Sequence, residues 1–272
     1  MSPAASAVLA VAVVVLLVGA MLRTRANDEP VTAPNPADAP AAVTAGLTAV
    51  SVPAGVDNRM ISYEGFEVGF NPSMHQPNYV AWELTPEKTD GPYSRKNAQF
   101  AADARVEGSA TPDDYRRSGF DRGHIAPAAD MKWSAQAMAD CHLMTNITPQ
   151  VNALNGGAWA SVEKMGRRWA NRFGRIIIVA GPVLSDRLTR TIGATGVAVP
   201  ERFFKVVLAP DATPPMTIAF IMPNAYVEGG AQQAVATVDQ VEAITGFDFF
   251  SALPDEIEEQ IESHSALHQW NN

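Results

Sequence analysis

A short predicted strand that ends in a histidine, followed by a predicted helix that starts at an asparagine, constrains the fold of this chain most strongly. Residues 120–125 read Phe-Asp-Arg-Gly-His-Ile and are stopped by Ala-Pro, which is typical of a short strand. Asn155 follows His124 by 31 residues at a predicted helix N-cap, and apolar residues such as Trp159 and Trp169 then recur at helical spacing until Gly174. We expect this helix to bury its aromatic stripe and to face the site of His124 with its first turn.

The polar side chains of these two elements suit phosphodiester hydrolysis with one hard metal ion. Neutral imidazole accepts a proton near neutral pH, so His124 can act as the general base for water. The amide oxygen of Asn155 suits Mg²⁺, which takes oxygen ligands and usually keeps several waters. Arg122 lies two residues before His124 on the same predicted strand face, where its guanidinium can hold a phosphate oxygen.

Glu163 lies eight residues beyond Asn155, or about two helical turns. On the side facing the site, its carboxylate can hold a water bound to the metal ion or orient Arg122. On the solvent side, it would instead pair with Arg167 four residues further along the helix. The sequence alone leaves both interpretations open.

Two longer stretches resemble a known family. Residues 118–130, SGFDRGHIAPAAD, and residues 145–159, TNITPQVNALNGGAW, are similar to the DNA/RNA non-specific endonucleases, which include the endonuclease G-like ββα-metal nucleases. The similarity extends over residues 63–253 and implies an α+β fold with a central antiparallel sheet flanked by helices. It also implies that His124 is the general base, that Asn155 is the direct metal ligand, and that four residues support them: Arg95, Arg122, Asn146 and Glu163.

The resemblance further implies Mg²⁺ as cofactor, with Mn²⁺ as a substitute, and a homodimer. The expected substrates are DNA and RNA, bound through phosphate contacts that read no sequence and cleaved to 5′-phosphate products. One departure lies at residues 141–144, where Cys-His-Leu-Met replaces the aromatic-rich strand usual in the family. This departure bears on substrate preference and leaves every expected catalytic position in place.

The distribution of charge is uneven. The net charge of −9 argues against a protein that coats nucleic acid with its whole surface. Residues 164–205 nevertheless contain nine basic and two acidic residues, whereas no Lys or Arg follows Lys205. We interpret the basic stretch either as a strip beside the site or as ordinary solvated charges. Cys141 is the only cysteine, which excludes an internal disulfide, and it reads as a small buried residue.

The N-terminal region precedes the predicted domain. Residues 4–22 carry no charge over 19 positions, so residues 1–22 read as a signal peptide or a transmembrane anchor. Residues 23–58 are rich in Ala and Pro and read as a linker, and the nuclease domain is predicted at residues 59–265. We expect an exported or membrane-anchored enzyme on the periplasmic or extracellular side, or in the mitochondrial intermembrane space of a eukaryote.

Hydrophobic patterns predict the remaining elements. Strands are expected at residues 63–70, 79–84, 143–148, 175–184, 203–208 and 216–222, and helices at residues 134–139, 235–245 and 255–263. The apolar run at residues 176–179 predicts a central strand covered on both faces. These elements fit a single α+β domain.

Two other functions compete with the nuclease. A catalytically idle nuclease-fold scaffold at the cell envelope would use the acidic half to bind a protein partner. A metal-dependent phosphatase would need the several carboxylate and histidine ligands of a two-metal site, and this set is missing from the motifs.

Overall fold

The computed structural model describes residues 46–185 and 190–271. The predicted signal or anchor segment, residues 1–22, lies outside the described residues, as does the predicted linker up to residue 45. Among the helices that the structure describes, none has the length and apolar character needed to cross a membrane.

Strands form most of the domain. In chain order they are β1 (Val50–Ser51), β2 (Arg59–Ser62), β3 (Glu67–Asn71), β4 (Gln76–Leu84), β5 (Asp121–His124), β6 (Ile147–Gln150), β7 (Ile176–Pro182), β8 (Thr191–Ile192), β9 (Val197–Ala198), β10 (Arg202–Ala209), β11 (Met216–Pro223), β12 (Val235–Ala236) and β13 (Asp248–Phe249). Seven of them form an antiparallel sheet in the order β12-β11-β10-β7-β4-β3-β2. The predicted central antiparallel sheet is confirmed.

The α-helices are short apart from one. They are α1 (Pro86–Thr89), α2 (Ala135–Asp140), α3 (Ala160–Phe173), α4 (Val238–Thr245), α5 (Asp255–Glu262) and α6 (Leu267–Asn271). A π-helical turn, Leu154–Trp159, leads directly into α3. Single 3-10 turns occur at Arg95–Asn97, Pro112–Tyr115, Ala128–Asp130, Met144–Asn146 and Ala231–Ala234.

Both faces of the main sheet are covered, and β7 shows how the alternation of its side chains achieves this. All seven residues of β7 are buried. Ile176 and Ile178 point into the core beneath α3, whereas Ile177 and Val179 point into the core beneath α4 and α5. Helix α3 therefore packs on one face of the sheet, and α4 and α5 pack on the other. The continuous apolar run had predicted a strand covered in this way.

The apolar stripe of α3 is also confirmed. Trp159, Val162 and Trp169 are each about 1% exposed, and Gly166 lies 3.6 Å, measured from an ideal Cβ position, from the side chain of Ile178. Gly174 ends the helix with a φ of 77°, a conformation that favours glycine. The tryptophans of this stripe are thus core residues, as their helical spacing predicted.

Two predicted elements are longer than the observed ones. Residues 63–66, predicted as the start of a strand, form the turn between β2 and β3, and Val235–Ala236, predicted as helix, form β12.

Two further local predictions are wrong. The predicted strand at residues 143–148 is interrupted by the 3-10 turn Met144–Asn146, because the side chain of Asn146 bonds to backbone groups and competes with strand pairing. Asn155 is not an N-cap, since its backbone N–H already donates to the carbonyl of Val151 at 3.0 Å. It lies inside the π-helical turn, and its side chain is directed to another residue.

The folded domain extends past both predicted boundaries. Leu47 and Val50 both fall within the predicted linker. Leu47 is nevertheless 2% exposed, and Val50 pairs with Phe249 of β13. At the other end, Trp270 of α6 is 1% exposed and packs 4.7 Å from the ring of Trp169. Isolated apolar residues in a polar or Pro-rich stretch gave no periodic signal, so the sequence patterns missed both edges.

Candidate active site

The site is built where the β5–β6 hairpin meets the π-helical turn before α3. His124 pairs with Ile147 at one end of the hairpin, and Asp121 pairs with Gln150 at the other. The indole N–H of Trp159 donates to the backbone carbonyl of His124 at 3.1 Å. Because Trp159 closes the π-helical turn, this bond fixes the helix start against the strand that carries the histidine. The helix start lies beside the strand of His124, as expected.

His124 and Arg122 both pack on Phe100. The ring centroids of His124 and Phe100 are 5.3 Å apart, and the guanidinium carbon of Arg122 lies 5.0 Å from the same ring. The two side chains therefore share one face of β5, as their spacing of two residues predicts. An aromatic platform holds an imidazole and a guanidinium side by side at the surface of the cleft.

The electrostatics around His124 keep its imidazole neutral. Burial, together with the charges of His142 and Arg95, lowers the pKa of His124 from 6.5 to about 3. Its Nε2 atom is buried and has no hydrogen-bond partner among the described residues. A neutral imidazole can accept a proton, so the protein supplies the protonation state that a general base requires across the neutral range.

Arg95 contributes its charge from the edge of the site. It begins the 3-10 turn Arg95–Asn97, its side chain is exposed, and its charge lowers the pKa values of His124 and His142. Because the guanidinium of Arg95 is exposed to solvent, it is available to bind a phosphate oxygen.

Asn155 is held by Asp121, the first residue of the strand that carries His124. The side-chain nitrogens of Asn155 and Asn152 each donate to the same carboxylate oxygen of Asp121 at 2.9 Å. The bond through the Asn155 nitrogen turns its amide oxygen away from Asp121. Asp121 therefore orients Asn155 in the manner by which outer residues orient a metal ligand.

Asn146 is fully buried behind His124. Its side-chain oxygen accepts from the N–H of Ala126 at 2.9 Å, and its side-chain nitrogen donates to the carbonyls of Ala126 and Cys141 at 2.9 and 2.8 Å. These bonds use the amide to fasten the loop that follows His124. The structure thus gives Asn146 a positioning role, since none of its contacts faces the cleft.

Glu163, in the first turn of α3, lies close enough to Lys205 and Arg95 for their charges to act on it. Burial raises the pKa of Glu163 to about 7, although the charge of Lys205 opposes this shift. Lys205 is 2% exposed and lies over the rings of Trp159 at 4.2 Å and Trp82 at 5.5 Å. Lys205 is therefore a buried counter-charge to Glu163, which excludes it from the basic surface strip that the sequence suggested.

Asp130 and Arg167 complete this buried charge cluster. Arg167 donates to one oxygen of Asp130 at 2.8 Å, and the indole N–H of Trp82 donates to the other oxygen at 3.2 Å. The charge of Asp130 acts on both Glu163 and Lys205. Of the two interpretations of Glu163, the pairing with Arg167 is not observed, because Asp130 binds the guanidinium and Lys205 acts on Glu163 instead.

Residues 141–144, where this sequence departs from the family pattern, include His142, whose ring lies next to the imidazole of His124. The rings of His124 and His142 are 4.9 Å apart at 83° to each other, and His142 donates from Nδ1 to the carbonyl of Met138 at 2.8 Å. Burial raises the pKa of Cys141 to about 12 and keeps its thiol protonated. Cys141 and His142 therefore form a wall of the site, and the hydrogen bond of His142 agrees with a structural role.

The sequence analysis assigned no role to three residues that the structure places around Asn155 and Glu163: Asp121, Asp130 and Lys205. One sequence signal could have predicted the buried charge cluster. Lys205 is a charged residue within the apolar run of β10, and a charged residue is rarely buried unless it is paired.

Known proteins resemble this chain over most of its length. The family model for DNA/RNA non-specific endonucleases matches residues 43–256. Mitochondrial endonuclease G of Homo sapiens is 32% identical over 202 residues, which cover 69% of this chain and 68% of the relative. A nuclease of Nostoc sp. strain PCC 7120 is 30% identical over 220 residues, covering 76% of this chain and 78% of the relative.

The fold is similar to a solved structure. The crystal structure of an EndoG/EndoGI complex superposes with a TM-score of 0.68 and 25% identity, covering 72% of this chain and 87% of the other. The α+β fold with its central antiparallel sheet is therefore the ββα-metal nuclease fold, and the enzyme is a nuclease that hydrolyses nucleic acid. The chain belongs to the DNA/RNA non-specific endonuclease family.

Proposed function

We propose that this chain is a Mg²⁺-dependent endonuclease that cuts DNA and RNA without sequence specificity, with His124 as general base and Asn155 as metal ligand. The observation that carries the proposal is the link between these two residues. Asp121, on the strand of His124, binds the side chain of Asn155, and Trp159, on the turn of Asn155, binds the backbone of His124. These two bonds join the strand of His124 to the turn of Asn155, which supports a shared site for the proposed base and ligand.

The residues present fit a hard divalent cation. The side-chain nitrogen of Asn155 is engaged by Asp121 at 2.9 Å, so the amide oxygen is the atom left for the cation. An amide oxygen with a carboxylate behind it is a donor that suits Mg²⁺ or Mn²⁺. When bound, Mg²⁺ supplies positive charge that stabilises the departing 3′ oxygen.

The protein's own groups account for the remaining requirements. His124, neutral because of its lowered pKa, takes a proton from the attacking water as the water oxygen bonds to phosphorus. Arg122 and Arg95 hold the non-bridging phosphate oxygens and offset their charge. Cleavage of the bond to the 3′ oxygen leaves a 5′-phosphate. Contacts to phosphate alone explain cleavage of both DNA and RNA without base recognition.

The metal dependence is tested with plasmid DNA and single-stranded RNA. We expect the purified protein to degrade both with Mg²⁺ or Mn²⁺ and neither with EDTA. Asn155→Ala removes the proposed ligand, so the Mg²⁺ concentration for half-maximal cleavage should rise by roughly 100-fold or more. An unchanged Mg²⁺ titration would refute the role of Asn155, and cleavage in EDTA would refute the metal requirement.

Asn152→Ala is the matched control. Asn152 donates to the same oxygen of Asp121 at the same distance, but its side chain is exposed. Because Asp121 keeps its bond to Asn155 in this variant, the Mg²⁺ titration should stay close to that of the wild type. An equal loss in both variants would point to Asp121, and not to the Asn155 amide oxygen, as the essential group.

The dependence of activity on pH separates Glu163 from His124. Above about pH 3 His124 is neutral, whereas Glu163 gains its charge only as the pH rises through about 7. We therefore expect kcat/KM of the wild type to fall on acidification through pH 7 because Glu163 takes up a proton. Glu163→Gln should lower the activity and flatten this acid limb. A limb that persists near pH 6.5 in Glu163→Gln would assign it to His124 instead.

The idle-scaffold alternative predicts no cleavage in any of these assays. Location and assembly remain proposals, with export or membrane anchoring through residues 4–22 in a bacterium. Relatives named as mitochondrial nucleases favour the mitochondrion if the source is eukaryotic. We also propose a homodimer, and the solved EndoG/EndoGI complex suggests an inhibitor protein as another partner.

A further inference from the structure

A second cluster of titratable groups lies on the face of the sheet opposite α3. One ligand oxygen each from Asp239 and Glu242 of α4 and from Glu262 of α5 lies within 4.8 Å of the other two. Asp239 is exposed, Glu242 is half-buried, and Glu262 is 4% exposed. The three carboxyl groups therefore line a short path that leads from solvent to a buried carboxyl group.

Glu262 is the observation that points to a ligand. Its side-chain Oε1 atom is buried and has no hydrogen-bond partner among the described residues. A buried carboxyl group without a partner costs free energy unless a proton or a cation neutralises it. The fold therefore leaves the Oε1 atom of Glu262 available to bind a cation.

The surroundings supply only further negative charge. Besides Asp239 and Glu242, the groups that act on Glu262 are Glu258 of α5 and Asp248 of β13. The sequence has no Lys or Arg after Lys205, so neither α4 nor α5 can provide a basic residue. Burial and this repulsion raise the pKa of Glu262 to about 9 and also raise the pKa values of Glu242 and Glu258.

We propose that Asp239, Glu242 and Glu262 form a Ca²⁺ site that fastens α4 to α5. The three ligand oxygens lie within 4.8 Å of one another, so one Ca²⁺ ion with bonds of about 2.3–2.6 Å can reach all of them. Mg²⁺ usually keeps several waters and binds through one or two carboxylates, so a set of three carboxylates favours Ca²⁺. Three carboxylates, with water, supply the six to eight oxygens that Ca²⁺ takes.

Ca²⁺ would supply the positive charge that the described surroundings of Glu262 lack. The site lies on the opposite face from His124 and Asn155, so it stabilises the domain independently of catalysis.

The test is thermal unfolding of the whole protein, without nucleic acid, after removal of metals with EDTA. Ca²⁺ at 100-fold excess over its Kd should raise Tm by about 5–10 °C, and Mg²⁺ at the same concentration should raise it much less. Equilibrium dialysis should find one Ca²⁺ per chain at this site. No rise in Tm with Ca²⁺, or an equal rise with Mg²⁺, would overturn the proposal.

Variants locate the site. Glu262→Gln should lose the Ca²⁺-dependent rise in Tm while matching or exceeding the wild-type Tm in EDTA, because it removes a repelling acid. Glu242→Gln provides a second variant, since glutamine can still accept the hydrogen bond that Phe249 donates to Glu242. Glu256→Gln, on the exposed side of α5, and Asn155→Ala should both keep the full Ca²⁺ effect. Retention of the effect in both cluster variants would place the ion elsewhere.

Discussion

Replacing His124 with alanine should lower kcat for plasmid nicking by about 10²–10⁴-fold, the usual contribution of a general base. His124 is the proposed base, and its neutral imidazole can take the proton of water. The ring of His142 is 4.9 Å away and is fixed by the bond from its Nδ1 to the carbonyl of Met138. Single-turnover cleavage at saturating Mg²⁺ measures the chemical step directly.

The fold of this variant should remain intact. Trp159 bonds to the backbone carbonyl of His124, and β5 pairs with β6 through backbone groups, so neither contact requires the imidazole. Circular dichroism and Tm should confirm folding, and added imidazole should restore part of the activity. His142→Gln is the matched control and should lose much less activity. Wild-type cleavage by His124→Ala, or an equal loss in His142→Gln, would reject His124 as the base.

The strand and the helix of the site were predictable from the sequence because each carries a local signal. The short strand stopped by Ala-Pro and the helix with an aromatic stripe are both observed. Side chains two residues apart lie on the same face of a strand, so the sequence also placed Arg122 beside His124, and both pack on Phe100. The roles of His124 and Asn155 came from the resemblance to the endonuclease family and stay predictions.

The charge cluster beneath the site was not predictable in the same way. Lys205 lies in β10 and meets Glu163 of α3 only because β10 packs under that helix next to β7. A helix i,i+4 rule suggested Arg167 as the partner of Glu163, but Arg167 instead binds the buried Asp130, whose other oxygen accepts from Trp82. Long-range pairing of charges follows from the fold and leaves no periodic trace in the chain.

Lys205→Met should lower the free energy of unfolding by about 3–5 kcal/mol, the usual cost of removing one partner from a buried ionic cluster. Methionine fills much of the space of the lysine stem between Trp82 and Trp159 but leaves the negative charge of Glu163 without its main counter-charge. Urea unfolding at pH 8 measures the loss. The pKa of Glu163 should rise further in the variant, so its carboxyl stays protonated to a higher pH.

This shift fixes the sign of the pH dependence. A group whose pKa is raised by folding contributes stability below its unfolded pKa and loses it as the pH rises through its folded pKa. The loss in free energy of unfolding caused by Lys205→Met should therefore be small near pH 5 and grow above pH 7.

Lys164→Met is the control, because Lys164 is an exposed lysine next to Glu163. It should change the free energy of unfolding by less than about 0.5 kcal/mol. Lys205→Met combined with Glu163→Gln should regain part of the loss, because the uncompensated charge is gone; a double variant as unstable as Lys205→Met would mean that packing, and not charge, makes Lys205 important.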